Sequence, residues 1–255
     1  MRPETPKFYR KPPSISGSDG LTLHYSEAHI TSQNGALYLE EERMIRLQRR
    51  LLLALALAAP LAGAQTLADA DLANALRGGG YVIVFRHGAT HPDQADTDPL
   101  NVDKPGNEAK QRHLNDKGKA LAKDFGDSFR KLDIPVGTVV TSKLYRAQET
   151  AKLMNVGEVA TSWDITEGNQ IISPNENNKR AGALRKLAST PPAAGKNNVY
   201  VTHKPNVIDA FGKDWFDVKE GEASVFKPDG KGGYQVVARL QADQWAVLAS
   251  KFAKK

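Results

Sequence analysis

The sequence predicts an α/β domain built on a mostly parallel sheet with helices on both faces. Three observations carry that reading. Short β-branched runs alternate with amphipathic or polar helical segments from residue 65 onward. The first of these runs, Tyr81-Val82-Ile83-Val84-Phe85, is apolar without alternation, as in a strand buried on both faces. Most of the chemistry-bearing residues stand just past the predicted strand ends, at the sheet edge where open α/β sheets bind ligands.

Before the domain lies the one strongly apolar run of the 255 residues, Leu51–Ala64. Fourteen helical residues rise only about 21 Å, too short for a bilayer of about 30 Å. The run follows Met44-Ile45-Arg46-Leu47-Gln48-Arg49-Arg50 and ends in Ala62-Gly63-Ala64 before Gln65. A basic start, a short apolar stretch and a small-x-small end form a secretory signal peptide, here 44–64. Such signals start at the initiator, so 1–43 reads as an upstream over-extension, and 65–255 as the exported domain. Periplasmic location follows as an expectation, with no stable membrane insertion after cleavage.

In chain order, Leu67–Leu76 reads as a helix stopped by Gly78-Gly79-Gly80. The first strand ends at Arg86-His87-Gly88, and a polar loop follows to about Arg112. Asn115 caps a helix whose stripe is Leu121, Phe125, Phe129 and Leu132. Pro135 and Gly137 close it before a strand at 138–141. Helices follow at 144–154 and 175–188. A third strand, 199–202, runs into His203, and Pro205 starts a short helix ending at Gly212. Strands 223–226 and 234–240 form an antiparallel hairpin. Trp245, Leu248, Ala249 and Phe252 face inward from a closing helix.

Composition excludes several classes. Without Cys there is no zinc ribbon, disulfide scaffold or cysteine nucleophile. A formal charge of +6 over the whole chain is too small for the basic stripe of a nucleic-acid binder. The expected site joins Arg86, His87, Arg146 and His203. Two guanidinium forks match phosphate oxygens, and their charge disfavours both a divalent cation and a protonated imidazole. A free imidazole nitrogen as nucleophile and an Arg clamp on the equatorial oxygens suffice for phosphoryl transfer. No cofactor or metal is expected.

These residues sit in motifs that resemble the histidine phosphatase (phosphoglycerate mutase-like) superfamily. Phe85-Arg86-His87-Gly88-Ala89-Thr90 is similar to its R-H-G motif. Ser142-Lys143-Leu144-Tyr145-Arg146-Ala147-Gln148-Glu149-Thr150-Ala151 is similar to its S-x-L-x-R-A-x-x-T-A motif. His113-Leu114-Asn115-Asp116-Lys117-Gly118 resembles its L-T-x-x-G helix entry, and Val201-Thr202-His203 its third motif. The resemblance spans 77–252. It implies a phosphoglycerate mutase-like fold with a minimal cap and a metal-independent phosphatase acting through phosphohistidine at His87. Arg86, Arg146 and His203 would then bind the phosphoryl group. Glu167 is the first candidate for general acid/base, with Asp164 and Glu222 as alternatives.

Lys204 after His203 departs from the family pattern, and the His-Asp pair of the acid phosphatase and phytase branch is absent. The smaller first branch fits better. The expected substrate is a phosphorylated small molecule or cell-envelope phosphate. A phosphohistidine phosphatase and a non-catalytic phosphate-ligand binding protein remain as alternatives. The latter gains if Glu167 lies far from the site. A mutase is disfavoured by export, and a metal hydrolase by the lack of a tight carboxylate cluster. His91 and His113 are expected at the surface or rim, and Lys143 in solvent.

Overall fold

In a computed structural model, the structure describes residues 43–44, 67–168 and 172–253. The chain divides into two compact units, 1–61 and 62–255. Of the first, Arg43 and Met44 are helical; the rest of the expected leader and signal peptide, with its cleavage site, lies outside the described residues.

The second unit carries six strands, β1 (Val82–Arg86), β2 (Val136–Ser142), β3 (Val159–Ser162), β4 (Asn197–Thr202), β5 (Ala223–Pro228) and β6 (Tyr234–Leu240). They form one sheet in the order β3-β2-β4-β1-β5-β6. Strands β3, β2, β4 and β1 are parallel, and β5 and β6 return antiparallel as the expected hairpin. Six helices surround it: α1 (Asp69–Gly78), α2 (Asp116–Lys131), α3 (Tyr145–Met154), α4 (Pro174–Ser189), α5 (Lys204–Phe211) and α6 (Ala242–Phe252).

The pleat of β1 sorts its side chains by parity. Ile83 and Phe85 join a core with Leu72, Phe125, Phe129 and Trp245, which are supplied by α1, α2 and α6. Val82 and Val84 face the other way, onto Leu184, Ala188, Val207 and Ala210 of α4 and α5. A strand that must be apolar on both faces explains the unbroken run read in the sequence. Asn115 caps α2 as expected: its Oδ1 accepts from the Gly118 amide at 2.9 Å, and its Nδ2 donates to Thr90 O.

The elements depart from expectation in four places. Helix α1 begins at Asp69 rather than Leu67, because Ala68 is extended, with ψ 152°, where the chain leaves the Leu67–Val237 contact at the sheet edge. Helix α2 stops at Lys131, and Gly137 lies inside β2, whose register slips between Val136 and Val139. Strand β3 was not anticipated; four residues at a sheet edge, with two of them exposed, show too little periodicity to stand out. The polar loop after Thr90 is ordered by two short 3₁₀ turns, Pro99–Asn101 and Asn107–Lys110.

Helices α2 and α3 cross where Gly126 meets the backbone of Met154. A Cβ at 126 would overlap the Met154 carbonyl, whereas one at Gly182 on α4 would meet only the end of the Arg185 side chain. Gly126→Ala is therefore expected to lose about 3 kcal/mol in urea unfolding by overpacking. Gly182→Ala is expected to gain about 0.5–1 kcal/mol from helix propensity. Equal effects of the two would contradict the close crossing.

Candidate active site

The parallel pairing of β1 with β4 sets Arg86 opposite Thr202. The His87 amide continues the ladder onto Thr202 O at 3.0 Å. The two residues that follow the strands, His87 and His203, therefore emerge side by side, with ring centroids 5.1 Å apart. On the far side of β4, β2 ends at Ser142, whose Oγ lies 2.7 Å from His203 Nε2. Helix α3 starts directly after β2 and buries Arg146 in its first turn at 1% exposure.

The motif residues that do no chemistry hold these pieces together. Thr150 Oγ1 donates to Arg146 O and accepts the Gly88 amide at 3.0 Å, tying α3 to the R-H-G turn. Gly88 and Gly118 let that turn press on the first turn of α2: a Cβ at Gly88 would lie 2.9 Å from Gly118 O, and one at Gly118 would overlap Ala89 O. Both glycines are required by close approach.

His87 is 2% exposed, and its Nδ1 lies 2.8 Å from Gly88 O. A carbonyl only accepts, so Nδ1 carries the proton and Nε2 keeps its lone pair. Ser142 Oγ accepts the Leu144 amide and lies 2.7 Å from His203 Nε2; the Glu167 carboxylate on the other side of the ring only accepts, which favours the hydroxyl as donor to Nε2. The His203 proton then sits on Nδ1, 3.4 Å from Glu167 Oε2. Burial, and after it the charge of Arg146, hold both imidazoles well below the ordinary histidine range. The sequence argument invoked the arginines; burial is the larger cause.

Arg86 donates from Nη1 to Val218 O at 2.7 Å and lies 3.6 Å from Glu220; its Nε is buried without a partner among the described residues. Arg146 meets both oxygens of Asp96 at 3.0 and 3.1 Å through Nη1, and Glu167 Oε2 at 2.9 Å through Nη2. Its Nε is likewise unpartnered. Arg146 and Glu167, with Asp96, Arg112, Asn206 and Asp209, line a cavity of about 930 Å³.

Of the three candidate acids, only Glu167 lines this cavity. Asp164 is exposed on the 3₁₀ turn Trp163–Ile165. Glu222 is 1% exposed and fully engaged by the Lys219 amide, Arg239 and Gln241, a structural knot beneath β5 and β6. Sequence reasoning missed Asp96 and Arg112. Asp96 also accepts the Arg112 amide at 2.9 Å, and the Arg112 charge acts on both histidines. Asp96 carried no readable signal in a polar loop; Arg112 directly precedes the His113–Gly118 motif. His113 packs on Tyr145 at the rim. Lys143 is not simply solvated: it pairs with Asp103 at 3.2 Å. Among the described residues no group of three or more His, Cys, Asp or Glu is arranged to hold a metal ion, and no helix is long and apolar enough to cross a membrane.

The lowered histidines couple folding to pH. Between their folded pKa values and about 6.5, the unfolded chain binds protons that the folded chain does not. Their contribution is complete above about pH 6.5 and is lost as pH falls through the folded values. Stability is expected to drop between pH 7 and 5.5, by up to about 1.4 kcal/mol per pH unit per histidine. Calorimetry of the His87→Asn, His203→Gln double variant should give a shallower slope; an unchanged slope would contradict the buried neutral pair.

Residues 82–168 match the model of the histidine phosphatase superfamily (branch 1). A comparison with curated proteins finds no match. Among solved structures, the chain is similar to the protein histidine phosphatase SixA complexed with tungstate, at 14% identity over 64% of this chain and 98% of that one, with a TM-score of 0.46. It is similar also to a phosphoserine phosphatase variant from Entamoeba histolytica in complex with phosphoserine, at 14% identity over 64% and 97%, with a TM-score of 0.42. The strand-end His87, the buried Arg146 and the carboxylate of Glu167 all fall within the segment 82–168 that matches the histidine phosphatase superfamily, branch 1.

Proposed function

We propose that the domain hydrolyses a phosphomonoester through a phosphohistidine at His87, without a metal. The observation that carries this reading is the Nδ1 contact of His87 with Gly88 O, which leaves the lone pair on Nε2, in a ring 5.1 Å from that of His203. In the first step His87 Nε2 attacks phosphorus in line, and the bond from phosphorus to the leaving oxygen breaks. Arg86, Arg146 and the Nδ1–H of His203 take the charge on the equatorial oxygens. A protonated Glu167 gives its proton to the leaving oxygen. In the second step Glu167 takes a proton from water, whose oxygen attacks phosphorus and releases His87 and inorganic phosphate.

Glu167 starts on Arg146. An arriving phosphoryl dianion competes for that guanidinium and frees the Glu167 carboxyl to turn toward the leaving oxygen. The presence of Glu167 beside His203 supports a phosphatase over a non-catalytic phosphate-ligand binding protein. A phosphohistidine substrate would need less from the acid, because its leaving group departs readily. Export to the periplasm is part of the same reading. It is supported by the basic stretch at 44–50, the apolar run 51–64 and the Ala62-Gly63-Ala64 end, and a mature N-terminus at Gln65 by mass spectrometry is the expected result.

Hydrolysis of an aryl phosphate in the presence of EDTA tests the chemistry. His87→Ala is expected to lose at least about a thousandfold in kcat. Glu167→Gln is expected to keep part of the aryl phosphate turnover, limited by the water step, and to lose about a further hundredfold on an alkyl phosphate, whose poor leaving group needs the proton. Alkaline quenching should leave one phosphoryl group on the His87 peptide. Activity that survives in His87→Ala would overturn the mechanism.

A further inference from the structure

Beyond its phosphoryl end, the cavity has a wall of hydrogen-bond acceptors that the chemistry above does not use. Asp209 lies on α5 six residues past His203, about 9 Å along the helix axis, and lines the same cavity. Its carboxylate accepts from Asn177 Nδ2 at 2.8 Å, which orients it, and it has no ion pair among the described residues. Arg185, behind it, donates to the backbone oxygens of Asp209 and Ala210 and not to the carboxylate.

Asn206 supplies a second, independent sign. It is 3% exposed and lines the same wall. Its Nδ2 is turned back onto Thr166 O at 3.3 Å, which fixes the amide orientation. Its Oδ1 is left buried and without a partner among the described residues. An unpaired buried acceptor is costly, and a ligand donor recovers that cost.

Charge narrows the ligand further. Three carboxylates, Asp96, Glu167 and Asp209, line the cavity beside two guanidiniums, Arg112 and Arg146. A leaving group that carries its own carboxylate is repelled there, and a plain aliphatic one places nothing on Asp209 or Asn206. About 930 Å³ leaves room for an alcohol of monosaccharide size.

We infer that the substrate is a phosphorylated amino sugar or an equally sized amine-bearing polyol. Its ammonium sits on Asp209, a hydroxyl donates to Asn206 Oδ1, and its phosphoryl group lies between Arg146 and His87. The inference rests on the phosphatase reading. Neither Asp209 nor Asn206 takes part in the bond-breaking steps.

The experiment compares kcat/KM for glucosamine 6-phosphate and glucose 6-phosphate in the wild type and in Asp209→Asn, with 4-nitrophenyl phosphate as the reference substrate. The amine-bearing ester is expected to be favoured about tenfold in the wild type, and the ratio to fall to about one in Asp209→Asn. Asn keeps the contact with Asn177, and both sugar phosphates are normalised in each protein to its own turnover of 4-nitrophenyl phosphate, which carries no amine. A wild-type ratio of one, a preference that survives in Asp209→Asn, or hydrolysis of the aryl phosphate with neither sugar phosphate consumed would overturn the inference and leave the phosphatase reading standing. Failure to hydrolyse the aryl phosphate would sink both.

Discussion

The parallel register of β1 on β4 is the constraint from which the site follows. Opposing Arg86 to Thr202 makes the next residue on each strand a histidine at the same height. A slip by one residue would send one imidazole to the opposite face of the sheet. The register is held by packing on both faces, because a one-residue slip would exchange Ile83 and Phe85 with Val82 and Val84 between two differently shaped cores. Core packing on the two faces therefore sets the distance between two rings at the sheet edge.

The second layer of the site is electrostatic. Arg146 is buried, and Asp96 and Glu167 neutralise it. Such a cation would be costly to bury alone. The same carboxylates limit how much positive charge reaches His87 and His203, yet burial still keeps both rings neutral. A neutral imidazole with Nδ1 committed to Gly88 O presents the nitrogen that phosphoryl transfer needs.

Much of this was legible in the sequence because the carriers are local. An apolar run followed by Arg-His-Gly marks a strand end, and Ser142 through Ala151 spell a strand end followed by a helix. The third histidine segment, 199–203, has the same form. The cap at Asn115 and the hairpin of β5 and β6 were readable for the same reason. The acid was not. Glu167, Glu222 and Asp164 all lie in polar loops, and only tertiary packing sends Glu222 into a knot with Arg239 while Glu167 reaches Arg146. Asp96 and Arg112 meet the site through a loop folded by 3₁₀ turns, a path no periodicity announces. Strand β3 owes its existence to pairing with β2 rather than to its own composition.

The central claim is that His87 stands neutral with its proton on Nδ1. Long-range ¹H–¹⁵N NMR of the imidazole rings at pH 6 measures this directly. The account predicts a neutral His87 with a protonated Nδ1 and a bare Nε2, and a neutral His203 protonated on Nδ1. A charged imidazolium at position 87, or a proton on its Nε2, would contradict it.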